Sequence, residues 1–179
     1  MNLKCLISFV AVAVVISTIV VTERTFAEEP APITDFQLTQ IRVRCKEVQA
    51  SLSRVHANDA LLRVNRGQLY ERLSTKLMVP MNSRIAVNRL DGSSLLSVTS
   101  SYDRHLGEFR VNYQAYEEQL SSTMRIDCAK QPASFYESLK SARDKRRSVY
   151  ESAQQLGRDI SDYRQAFTDF SQPYKEKQS

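Results

Sequence analysis

Apolar residues recur along most of this chain at alternating intervals of four and three, the spacing of one face of a supercoiled helix. The first such row runs Leu38, Ile41, Cys45, Val48, Leu52, Val55, Leu62, Leu69 and Leu73. Asp59 and Arg66 occupy two places in it where an apolar residue is expected. A second row runs Leu95, Thr99, Tyr102, Leu106, Phe109, Tyr113, Tyr116 and Leu120. The third runs Phe135, Leu139, Ala142, Arg146, Val149, Ala153, Leu156, Ile160, Tyr163, Phe167, Phe170 and Tyr174. Rows that keep so close to a seven-residue repeat predict left-handed supercoiling of the helices around one another.

Boundary signals frame these rows. Thr34 and Gln37 have the spacing of a capping box, in which the hydroxyl accepts from the Gln37 amide and the Gln37 side chain reaches back. Pro132 suits the first turn of the third helix, and Pro173 should close it. Between Val79 and Ser94 the pattern weakens: Pro80 removes a helix bond, and Asp91-Gly92-Ser93-Ser94 reads as a helix stop followed by a new cap. The chain is therefore expected to be all-α, an elongated three-helix antiparallel coiled-coil bundle running up, down and up. Its helices are expected at 34–79, 94–127 and 132–172, with a tip at 80–93 and a polar tail at 173–179. A kinked continuation of the first helix through Pro80 to Leu90 is the alternative at the tip.

The N-terminus follows a different pattern. Lys4 precedes an uncharged apolar run from Leu6 to Val21, followed by a short polar stretch with Thr25 and Ala27 in small-x-small spacing. That is the layout of a secretory signal, predicting a signal peptide at 1–27 and a short linker at 28–33. The rival reading is an uncleaved membrane anchor, for which the run is slightly short of the ~20 residues that span a bilayer. Both place the remainder outside the cytoplasm, as a secreted, periplasmic or cell-surface protein.

Removal of the signal leaves two cysteines, an even pair suited to an oxidising compartment. Cys45 lies 34 residues before Val79, and Cys128 lies 34 residues after Ser94. Helices of that length each rise ~51 Å, so folding back across the tip brings Cys45 and Cys128 level. A disulfide between them is expected, two buried thiols being the alternative. The same levels locate the polar interruptions. Two heptads above Cys45 stands Asp59, and two above Pro132 stands Arg146, opposite in charge. They are expected to pair across the core, with Tyr113 or Gln114 completing the hydrogen bonds, while Arg66 faces Gly107 and Ala153. Outward snorkelling of both charges is the alternative.

Composition narrows the function. Across 179 residues, 4 Gly and 5 Pro are too few for a β-sandwich, a disulfide knot or a glycine-rich phosphate turn. His56 and His105 fall at different heights, and no metal, nucleophile-elbow or Ser-x-x-Lys motif occurs. No catalytic residue, cofactor or metal ligand is assigned. Lys+Arg number 25 against 20 Asp+Glu, which favours anionic surfaces. Lys140, Arg143, Lys145 and Arg147 are the candidate polyanion contacts, although Glu137, Asp144 and Glu151 interleave with them. Aromatic residues lie on the core rows instead of flanking the basic run, which disfavours nucleic acid.

The signal segment, the heptad rows, the turn Leu90-Asp91-Gly92-Ser93-Ser94 and the junction Ile126-Asp127-Cys128 resemble an uncharacterised group of exported coiled-coil proteins. These are encoded by small-genome bacteria of the candidate phyla, and the resemblance implies no catalytic or ligand residues. The chain is also similar to periplasmic chaperones of the Skp/OmpH type in being small, basic and built of long helices. Those add a β-stranded base, and no strand-like segment is evident here. The expected function is that of an exported, non-enzymatic helical binding or structural module acting on a protein or envelope component. The alternative is a holdase-like, polyanion-binding or membrane-surface-binding module, and self-association is compatible with either.

Overall fold

The structure is a computed structural model that describes residues 33–176. The expected signal peptide at 1–27 and the last three residues of the tail lie outside the described residues, as does all but the end of the linker. The described chain is all-helical. Its elements are α1 (Asp35–Val43), α2 (Cys45–Arg72), a π-helical turn (Leu73–Met78), α3 (Val79–Val87), α4 (Ser93–Met124) and α5 (Pro132–Glu176). Among the described residues no helix is long and apolar enough to cross a membrane.

α1 opens with both arms of the Thr34 and Gln37 capping box in place. A single turn at Arg44 separates it from α2. Contacts of α2 with α4 and the connection after it pair rising with falling residue numbers: Gln49 donates to the Ile126 carbonyl just past α4, the Tyr116 hydroxyl reaches Asp59, and the Tyr102 hydroxyl donates to the Tyr70 carbonyl at 3.0 Å. α4 and α5 pair in the same crossed order, through His105 with Asp159, Asn112 with Ser152 and Gln119 with Ser138.

α4 carries the core. All eight residues of its expected row are buried, and His105 and Thr123 join them. Their neighbours on α5 include the buried Ala142, Leu156 and Tyr163. Toward the end of α5, Phe167 and Tyr174 are exposed, departing from the expected row.

The tip at 80–93 follows the alternative course, a continuation of the first helix through Pro80. The helical course continues through Pro80 to Val87. In the π turn the Val79 amide donates to the Ser74 carbonyl, five residues back. This wider turn makes room ahead of the proline ring, and Pro80 then falls in the first turn of α3, where its missing donor costs little. The connection shrinks to 88–92, where Arg89 takes φ 55° and the Asp91 carboxylate accepts from the Ser93 amide at 3.1 Å. Gly92 packs so closely on Ile85 that an added Cβ would sit 2.6 Å from its Cγ2. At the other end α5 runs past the expected stop at Pro173 to Glu176. Pro173 is exposed, so water can serve the carbonyl that it leaves without a donor.

The larger correction concerns α2, where the heptad row faces inward only in part: Cys45 and Asp59 are buried and Val48 and Leu52 partly so, but the row leaves the core beyond them. Val55, Leu62 and Leu69 are 36%, 50% and 53% exposed. Beyond Asp59 the buried residues are instead Tyr70 on α2 and Ser74 and Met78 in the π turn, with Gly67 and the earlier His56 half-buried. Cys45, His56, Gly67 and Met78 are spaced by 11 residues, a repeat close to the natural period of a straight α-helix. The buried face of α2 thus leaves the heptad row beyond Asp59, where Leu61, Leu62 and Leu69 are exposed. This assignment makes opposite demands of two leucines. Leu69→Ala should change urea-unfolding stability by no more than about 0.5 kcal/mol. Leu120→Ala, at a buried α4 position, should cost about 2–5 kcal/mol. Similar losses at the two sites would restore the heptad register.

Candidate binding groove

At the base of the fold Cys45 and Cys128 form a disulfide with Cα atoms 5.5 Å apart. Both are buried, against Phe135 and the partly buried Ile41, Val48, Leu52, Ile126 and Leu139. The bridge joins residues 83 positions apart. Closing such a loop stabilises a fold by about 4–5 kcal/mol in the chain-entropy account. It also fixes the α2 end of the molecule against the α4–α5 junction.

Above it Asp59 and Arg146 meet. Arg146 Nε donates to Oδ2 of Asp59 at 2.8 Å and Nη2 donates to Oδ1 at 3.0 Å, a bidentate fork. The Tyr116 hydroxyl donates to the same Oδ2 at 2.6 Å. The tyrosine that completes the group is thus Tyr116, one turn beyond the expected Tyr113 or Gln114. Tyr113 is engaged elsewhere: its hydroxyl donates to Glu117, and the Arg63 guanidinium lies over its ring at 4.9 Å.

Burial alone would raise the Asp59 carboxyl, but the hydrogen bonds from Arg146 and Tyr116, with the Arg146 charge, outweigh it and hold it below 3.8. Burial and the adjacent Asp59 carboxylate push the Tyr116 phenol well above its usual value. Burial and Glu117 raise Tyr113 to about 12. Both tyrosines therefore remain neutral donors at any physiological pH.

The two histidines lie at different heights and take separate carboxylate partners. His56 on α2 contacts Glu117 on α4, and His105 Nδ1 lies 2.5 Å from Asp159 Oδ2 in the α4–α5 interior. The row positions point to neither carboxylate; a polar residue beside an apolar row does not announce its partner on another helix. Among the described residues no group of three or more histidine, cysteine or acidic side chains could hold a metal ion.

The arginines define the remaining feature. Between α2 and α5, over the aromatic floor of α4, lies an open groove of about 500 Å³. Phe109, Tyr113 and Tyr116 form the floor, Leu62 lies on the α2 wall, and Val149, Tyr150 and Ala153 lie on the α5 wall. Arg63 and Arg66 line it from α2; Arg143, Arg146 and Arg147 line it from α5. Against these five stands the single carboxylate of Asp59. Charged residues stand at row positions on both walls, Asp59 and Arg66 on α2 and Arg146 on α5.

The expected basic group is thereby divided. Arg143 and Arg147 border the groove, with Arg147 3.7 Å from Asp144, whereas Lys140 and Lys145 are half-buried outside its lining. Arg63 and Arg66 join from a helix that the basic run did not implicate, although Arg66 stood out in sequence as a row interruption. Arg66 shares the groove with Ala153, as expected, while Gly107 is not part of the lining.

Compared with known protein families, curated proteins and solved structures, the chain matches none. The geometry of the Asp59 group makes its own demand. A double-mutant cycle of Asp59→Ala and Arg146→Ala should give a coupling of about 1 kcal/mol or more, and additive losses would mean no functional pairing. The folded Asp59 pKa is below its ordinary 3.8, so the stabilisation is complete above that value and lost as pH falls through the lowered one. Urea midpoints across the acid range should show that loss in the native protein and a shallower one in Asp59→Asn.

Proposed function

We propose that this chain is an exported, non-enzymatic helical binding module, an elongated up-down-up three-helix bundle behind a cleaved signal, that engages a protein or envelope partner through the arginine-lined groove. The observation that carries this reading is the groove itself: an apolar aromatic floor with five arginines and one already-paired carboxylate. Arginine and tyrosine are the residue types over-represented where proteins concentrate binding energy. Export is supported by the layout of residues 1–27 and by the cysteine pair, which suits an oxidising compartment. The non-enzymatic part rests on the lack of any nucleophile, base or cofactor motif in the sequence.

A second reading, recognition of a polyanion or anionic membrane surface, is favoured by Arg66 and Arg143. Both are exposed and have no carboxylate partner among the described residues. The groove is tested with 8-anilinonaphthalene-1-sulfonate, a probe with an aromatic body and one anionic group. The native protein should bind it at one site, weakened at least tenfold in an Arg66→Glu, Arg143→Glu variant of unchanged helicity. Binding indifferent to those changes would remove the groove from the reading. Pelleting with anionic liposomes tests the second reading: retention at low salt that disappears by ~0.2 M would favour polyanion recognition over a protein partner.

A further inference from the structure

We propose that the groove seats an amphipathic helix of a different protein, one with an apolar stripe flanked by carboxylates, so that the occupant becomes a fourth helix between α2 and α5. This rests on the reading of the groove as the working surface and specifies what fills it.

Three observations lead to a helix. Val55, Leu62 and Leu69 project from α2 at seven-residue spacing and are each at least a third exposed. They repeat one of the two positions of a coiled-coil seam, the other carrying Asp59 and Arg66, and Leu62 among them lines the groove. The row extends over ~21 Å at 1.5 Å per residue. A small anionic lipid lodged beside Leu62 would leave Val55 and Leu69 uncovered; a helix of three heptads covers all of them. On the opposite wall Tyr150 is 62% exposed, and its ring offers the large, rigid apolar contact typical of an interface anchor.

Charge selects the kind of helix. Of the five groove arginines, Arg146 is held by Asp59 and Arg63 lies over Tyr113. Arg66 on one wall and Arg143 on the other remain available to fork onto carboxylates on either flank of an occupant. A second copy of this chain meets the groove poorly, because the chain carries a net +5 and two grooves face to face would oppose their arginines.

The test uses three fluorescein-labelled peptides of three heptads each against the full mature protein, followed by fluorescence anisotropy. The first has leucine at the two seam positions and glutamate beside them; the second replaces glutamate with lysine; the third is a scramble of the first. The acidic helix should bind at least tenfold more tightly than the other two. Leu62→Ser with Leu69→Ser, at exposed positions where folding is spared, should weaken it at least tenfold. The Arg66→Glu, Arg143→Glu variant should weaken the acidic helix and strengthen the lysine version. Equal binding of the scramble, or binding unmoved by either variant, overturns the proposal. Sulfonate-probe binding that needs Arg66 and Arg143 without acidic-helix binding overturns the helical occupant and leaves the groove reading standing. Loss of both overturns both. A concentration-dependent dimer that Leu62→Ser dissolves makes the occupant a second copy and likewise overturns the proposal.

Discussion

Two helices compete for one face of α4. That face is buried from Leu95 to Thr123, and α5 takes most of it through Ala142, Leu156 and Tyr163. α2 receives what remains: of its 28 residues Cys45, Asp59 and Tyr70 are buried. An apolar seam distributes its stabilisation over many small contacts. α2 relies instead on separate anchors: the disulfide at the base, the Asp59 group in the middle, and the Tyr102 hydroxyl on the Tyr70 carbonyl near the top. Between the anchors the helix stands away from α5. The groove is the space so left.

Polar contacts recur between the helices at intervals: Gln119 and Thr123 with Ser138, His56 with Glu117, Asn112 with Ser152, and His105 with Asp159. None needs to add much net stability, since desolvating each group offsets much of its attraction. Their value is in register. A row of similar apolar residues slides by a heptad at little cost, whereas displacing Asp59 from Arg146 and Tyr116 leaves a buried carboxylate unsatisfied. Two buried polar atoms, Asn82 Oδ1 and Tyr163 Oη, have no partner among the described residues; both lie in the upper half of the fold, near the π turn and the tip.

The parts of the fold legible in sequence were those where hydrophobicity and burial coincide. The α4 row was readable in full because each of its members is buried. The capping box was readable because it is a local exchange between Thr34 and Gln37. Asp59 and Arg146 stood out as charges in apolar rows at equal heights. The drift of α2 was not readable. The heptad and 11-residue faces share Cys45, Val48, Leu52 and Asp59, then diverge, and beyond that point the inward face carries Gly67, Tyr70 and Ser74 while the outward one carries Leu62 and Leu69. Hydrophobicity therefore selects the wrong face. The π turn escaped notice because Pro80 signals a lost hydrogen bond without saying whether the chain breaks or widens. Arg63 is hidden for the same reason as the drift, since it lies on α2 beyond the point where the faces diverge, whereas Arg66 is visible as an interruption of the apolar row.

Hydrogen exchange tests the claim that anchors, and not a continuous seam, hold α2. Amides open with free energies that follow local packing, and exchange resolves them segment by segment. Amides at 60–69, between the Asp59 group and Tyr70, should exchange markedly faster than those at 99–120 in the core of α4. Reduction of the Cys45 and Cys128 bridge should accelerate exchange through the base of α2 and leave the middle of α4 opposite α5 nearly unchanged. Protection at 60–69 equal to that of α4 would contradict the account, because it would mean that α2 packs on its neighbours along its whole length.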